Sequence, residues 1–196
     1  MADEKGAALT VADVTNAMLV AEDLPGTWHA TDVPVRTGAV PDAAAGGSEC
    51  GQATHKLALE SSRWGAADVN AKVAWASSGG VRLQQEVASV RHLEADRLGE
   101  LLGRQASECG HVVVVNDGVT VESQLRSCGL SSGDRGVLIV QSWTASDGRS
   151  GSTRLAYIVR EYGLVVLTYT SSDAGGSCQH AVFDRIVDVA AAKAAH

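Results

Sequence analysis

The stretch that decides the fold is GVLIVQSWTASDGRSGSTRLAYIVREYGLVVLTYTSS, residues 136–172. Three runs rich in Val, Ile, Leu, Tyr and Thr lie in it: GVLIVQSWTAS, TRLAYIVR and LVVLTYTSS. They are separated only by DGRSGS and EYG, segments of turn-forming residues. Parallel neighbours need crossovers of about a dozen residues or more, so connections this short demand antiparallel strands.

The same signals continue upstream. In residues 111–128, HVVVVNDGVTVESQLRSC, the Asn-Asp-Gly between two β runs marks a hairpin. Earlier, DVNAKVAWAS (68–77) has period two: Val69, Ala71, Val73 and Trp75 share one face, with Asn70 and Lys72 opposite. SSGG turns the chain into VRLQQEVASV (81–90), where Val81, Leu83 and Val87 alternate with Arg82, Gln84 and Glu86. These two runs form a second predicted hairpin.

Three helices complete the pattern. Residues 9–26, LTVADVTNAMLVAEDLPG, begin with Thr10 as N-cap and Asp13 three residues on, a capping box with a shorter acid. Leu9 and Val14 stand where a hydrophobic staple joins, and Val11, Val14, Met18 and Ala21 form an inward stripe ended by Pro25 and Gly26. LEADRLGELLGRQAS (93–107) places Leu98, Leu101 and Leu102 inward. The closing segment, 177–196, turns Val182, Phe183, Ile186, Val187 and Ala190 to the core. Residues 1–8 read as a disordered lead-in, 36–51 as an Ala/Gly/Pro loop, and 52–63 as a short helix through HKLALESS. The expected fold is therefore one α+β domain over residues 9–196. Its antiparallel sheet has six to seven strands, with helices on one face and disulfide staples.

Composition narrows the function classes. At 196 residues and 45% hydrophobic, the chain buries a core of its own. A net charge of -7 opposes counterion-release binding to nucleic acid and docking on anionic lipid. No run approaches the roughly 20 apolar residues of a membrane span. The start, MADEKGAALT, lacks the apolar core of a signal peptide. Either the protein acts in the cytoplasm, or its leader precedes the sequence as given.

The cysteines weigh against the cytoplasm. SECG occurs at Ser48–Gly51 and again at Ser107–Gly110, but the flanks share nothing, so the match is no repeat. Cys50, Cys109, Cys128 and Cys178 allow three disulfide connectivities, of which Cys50–Cys109 with Cys128–Cys178 is preferred. Disulfides imply an oxidising compartment. The competing uses are weak. CGH (109–111) and CQH (178–180) place two zinc-type ligands on one side of a strand, but their spacing is not that of known zinc sites. GLSSG (129–133) has the GxSxG form, yet a strand follows where a nucleophile elbow needs a helix. GRSGS and DAGGS carry no Lys-Ser/Thr for phosphate. No metal or cofactor is expected, and no catalytic residue is assigned.

Several segments together resemble a known family. LVAEDLPGTW (19–28), VRLQQEVASVRHLEADRLGELLGRQASEC (81–109) and RLAYIVREYGLVVLTYT (154–170) with a following helix are similar to the PknH-like extracellular sensor domain. That domain is found outside actinobacterial Ser/Thr kinases and as stand-alone lipoproteins. The resemblance implies a non-catalytic, disulfide-stapled α+β domain outside the membrane, with a cleft for a small molecule or cell-wall fragment. Its only membrane link would be a lipid anchor missing from this chain. The chain departs from the kinase-attached members in having TRLA (153–156) in place of their CqRa segment.

Within a cleft, Trp75 and Trp143 are the expected walls, because indoles offer large rigid faces. Arg82, Tyr157 and Arg160 are the expected polar contacts. The alternative reading is a cytoplasmic enzyme or biosynthetic accessory protein, using zinc through the Cys-x-His pairs or Ser131 as a nucleophile with His180.

Overall fold

The computed structural model describes residues 9–33, 49–50, 52–53, 56–57, 69–90, 92–116, 118–132, 134–160 and 162–195. The lead-in expected at 1–8 and most of the loop and short helix expected over 36–63 lie outside these. Positions 49–50, 52–53 and 56–57 are helical.

Among the described residues eight strands form one antiparallel sheet that does not close. They are β1 (Trp28–Thr31), β2 (Asn70–Ser77), β3 (Arg82–Ser89), β4 (His111–Asn116), β5 (Val119–Cys128), β6 (Gly136–Ala145), β7 (Ser150–Val159) and β8 (Gly163–Ser171). The helices are α1 (Val11–Asn16), α2 (His92–Glu108) and α3 (Ala181–Lys193), with a 3-10 turn at Ala21–Asp23. The order across the sheet is β1-β2-β3-β8-β7-β6-β5-β4. Two antiparallel meanders are thus joined edge to edge. Helix α2 carries the chain from β3 to the far edge at β4, and the second meander walks back until β8 docks on β3.

The β3–β8 seam runs from Arg82 opposite Thr170 to Ser89 opposite Gly163. Period-two alternation then sorts side chains into two cores. On one face Leu83, Val87, Leu138, Val140, Ala156, Ile158, Val165 and Leu167 pack beneath Val14 of α1 and Phe183, Ile186, Val187 and Ala190 of α3. On the other, Val137, Ile139, Val159, Leu164 and Ala88 receive Leu98, Leu102 and Ala106 of α2. Helices therefore cover both faces, where one was expected. The reason is visible in β6, whose consecutive Val137, Leu138, Ile139 and Val140 are all buried; an unbroken apolar run is the mark of a strand covered on both sides.

The strand count also exceeds the expected six to seven. β1 was not foreseen: its four residues, WHAT, show the burial pattern of an edge strand, with only Trp28 buried. It pairs with β2 from Trp28 opposite Ser77 to Thr31 opposite Ala74.

The capping box at α1 is present: the Asp13 amide donates to Thr10 Oγ1 at 3.2 Å, and the Thr10 amide donates to an Asp13 carboxylate oxygen at 2.8 Å. The helix nonetheless stops at Asn16, well before Pro25. A side chain from the sheet replaces the next helical turn. Gln85, fully buried, donates its amide to the Ala17 carbonyl at 3.0 Å and accepts from the Leu19 amide at 2.7 Å. Val14 is buried as expected, whereas Val11 in the first turn and Ala21 beyond the helix end are exposed rather than inward. At the other terminus Val182 is exposed too, and Ala191 takes the extra core position on α3.

Both disulfides follow the preferred pairing, Cys50–Cys109 and Cys128–Cys178, and the described residues contain no free cysteine. The first fixes the 49–57 region at the end of α2. The second ties β5 to the segment leading into α3.

Gly136 shows why one residue type is demanded. Its φ is 152°, and a Cβ there would fall 1.9 Å from the Tyr157 carbonyl oxygen on the paired strand.

Two outcomes follow. Gln85→Leu keeps the bulk but strands a buried carbonyl and a buried amide, so urea denaturation should show a loss of about 2–4 kcal/mol. The Cys50→Ser/Cys109→Ser pair opens a link spanning 59 residues, and the same experiment should show a loss of about 4 kcal/mol on the chain-entropy relation.

Candidate functional site

The hollow that invites a ligand lies on the α2 face of the sheet, over the half that α2 leaves bare. Its volume is about 490 Å³. Alternation places Ala74 and Ala76 of β2, Arg82 and Gln84 of β3, and Thr168 and Thr170 of β8 side by side on its floor, with Thr31 and Asp32 at the exit of β1 forming the rim. The hollow exists because β2 presents alanines opposite Arg82 and Gln84. These two positions would otherwise fill it. Trp75 and Leu83 border the same hollow, but their side chains belong to the opposite core, at 3% and 1% exposure.

The floor continues across the sheet toward β6. Thr170 stands opposite Thr153, which stands opposite Gln141. Their side chains form a polar row: Thr153 and Thr170 hydroxyls are 3.5 Å apart, and Gln141 donates to Ser123 at 3.4 Å. One register step further, Trp143 faces Gly151. A Cβ on Gly151 would meet the indole at 2.8 Å, so the ring lies directly over the bare glycine backbone. The indole is half-buried, with part of its surface toward solvent.

The five residues expected in a cleft are therefore dispersed. Arg82 is exposed at the hollow, and Trp143 shares its sheet face two strands beyond β8. Trp75 is in the core of the other face. Tyr157 packs against the α2 core at the opposite end of β7. Arg160 donates to Asp134 at 2.6 Å and to the Ala191 carbonyl at 2.6 Å, so it closes the last turn of α3. That ion pair holds the Asp134 carboxyl below its ordinary value, its Arg160 hydrogen bond being the main cause. What sequence reading missed is the threonine and glutamine floor. The signal was present in the alternation of Gln84, Thr168 and Thr170 with the core residues of β3 and β8.

A second polar cluster sits on the α3 face. Arg154 is 1% exposed. It donates to Ser152 at 2.9 Å and to the carbonyls of Gly175 and Ser177 at 3.0 and 3.4 Å. Its work is to hold the 172–180 segment, including Cys178, against β7 and β8. Burial pushes the guanidinium below its ordinary pKa, opposed by Asp173, Tyr169 and Asp184. His180 lies beside it, its ring tilted against Tyr169 at 5.1 Å between centroids, and its Nδ1 accepts from the Phe183 amide as the N-cap of α3.

These placements bear on the enzyme alternatives. Ser131 lies in an exposed turn between β5 and β6, two antiparallel strands, so the strand-to-helix elbow is missing. His180 spends Nδ1 on a helix cap. The cysteines of CGH and CQH are oxidised in disulfides and offer no thiolate to zinc. Among the described residues no group of three or more His, Cys, Asp or Glu is placed to hold a metal. No protein-family model matches the chain, and no curated protein matches it.

His180 gives a pH signature. Burial, then the Arg154 charge, lowers its pKa below the ordinary 6.5. The unfolded chain then binds the proton first as pH falls, so stability supplied by neutral His180 is present above pH 6.5 and lost on acidification through the folded value. His180→Asn keeps a capping acceptor. Its melting temperature should change less between pH 7 and 5 than that of the parent chain.

Proposed function

We propose that this chain is a ligand-binding module without turnover, held in an oxidising compartment at or beyond the cell surface, of the kind the PknH-like sensor resemblance implies. The observation that carries the reading is the hollow on the α2 face, where polar side chains stand beside the alanines of β2 over strands whose backbone groups are already paired. Recognition there falls to side chains alone: Arg82, Gln84, Thr168 and Thr170 face upward on a rigid floor. A volume of about 490 Å³ suits a small molecule or one unit of a larger one. Two disulfides support the compartment, since cytosolic reductants remove such links. Among the described residues no helix is long and apolar enough to cross a membrane. Attachment to one would come from outside the described chain.

Thermal-shift screening of small polar metabolites against the parent chain and Ala76→Phe tests the proposal. Ala76 is half-buried on the floor, and a phenyl ring there fills the hollow. A true ligand at about a hundredfold its Kd adds roughly 2.7 kcal/mol to the parent, and this gain should vanish in Ala76→Phe and shrink in Arg82→Ala. Ligands that stabilise all three chains equally would place binding elsewhere and overturn the assignment.

A further inference from the structure

Resting on the ligand-binding reading, the floor's chemistry goes one step further: we infer that the ligand is a saccharide, bound along the row from Arg82 to Trp143. Four observations carry it. First, beyond Arg82 and the alanines of β2, the side chains along the row are hydroxyls and amides, namely Gln84, Thr168, Thr170, Thr153 and Gln141. Such groups both donate and accept, as a polyhydroxyl partner requires.

Second, Trp143 packs its indole close over Gly151 on the same face and is only half-buried. The negative π face of an indole attracts the weakly positive C–H hydrogens that a pyranose ring presents on one side. Glycine at 151 is what lets the ring lie so low: any side chain would lift it, since even a Cβ approaches Cζ2 within 2.8 Å.

Third, the other ligand classes lack their requirements here. A phosphate ester needs clustered cations, whereas the hollow sets Arg82 against Asp32 and the whole chain carries -7. A lipid tail needs unbroken apolar walls, and here the alanines of β2 are followed across the sheet by Arg82, Gln84, Thr168 and Thr170. A peptide adding as a strand needs a free edge, which only β1 at the rim offers, whereas the row itself runs over β3, β8 and β7, interior strands with partners on both sides.

Fourth, the row is long. From β3 to β6 is three strand spacings, roughly 14 Å, enough for more than one sugar unit. The shape therefore favours an oligosaccharide over a monosaccharide, with one residue in the 490 Å³ hollow and the next on the indole.

Isothermal titration with maltotetraose, mannotetraose and chitotetraose tests this, with ATP and phosphatidylglycerol vesicles as the competing chemistries. At least one oligosaccharide should bind. Trp143→Ala should weaken it about tenfold, and Trp143→Phe, which keeps a ring, by less. Thr168→Val/Thr170→Val keeps shape and β-branching while removing two floor hydroxyls, so it guards against a misfolded tryptophan variant. It should weaken binding several-fold at unchanged melting temperature. Oligosaccharide binding indifferent to both sets of variants overturns the inference. Binding of ATP or vesicles alone, sensitive to Arg82→Ala, also overturns it but leaves the ligand-binding module standing. No binding by any probe, together with no hit in the metabolite screen, removes both.

Discussion

The docking of β8 between β3 and β7 is the constraint on which the rest depends. Either meander alone is a narrow sheet with two raw edges; joined, they become eight strands wide and can be covered on both sides. At the seam, as in β6 and β7, one strand serves both cores: Val165, Leu167 and Tyr169 face the α1/α3 side, while Leu164 and Val166 face the α2 side. Each fully buried Leu or Ile there stabilises by about 1.5–3 kcal/mol. The seam also creates the candidate site, because Gln84 and Thr168 come from different meanders and meet only across it.

Unequal coverage of the two faces then separates structure from function. α2 reaches over β5, β6, β7 and β8 at the Val137 end, leaving the Arg82 end of that face bare. The opposite face is closed more fully, by α1, α3 and the 172–180 segment that Arg154 fastens from below. The buried polar groups Gln85 and Arg154 share one task. Each supplies hydrogen bonds to backbone that has left regular structure, around Ala17 and Leu19 in one case and Gly175 and Ser177 in the other. Such groups are costly unless paired, and here their partners are irregular segments that sheet or helix bonding cannot satisfy.

Much of the fold was legible because periodicity and turn chemistry agree from β2 onward. The β2–β3 faces came out residue by residue, with Val69, Ala71, Val73 and Trp75 on one side as read. Less legible was what a long-range partner does to a local pattern. Gln85 ends α1 from across the sheet, and nothing in residues 9–26 announces it. The runs Val137–Val140 and Leu164–Leu167 do report burial on both faces, which the one-sided expectation overlooked. The candidate site was hardest, since tryptophan draws the eye and threonine does not. Trp75 and Trp143 look equivalent in sequence, but the former falls on the Leu83 face and the latter on the Gly151 face.

The seam has a temporal side as well. Residues 82–89 leave the ribosome long before residues 163–171 exist to pair with them, and non-local pairing of this kind is slow. Until the last strand arrives, the first hairpin has no lasting partner and the chain stays pliant. The strand order thus leaves completion of the sheet to the last strand synthesised.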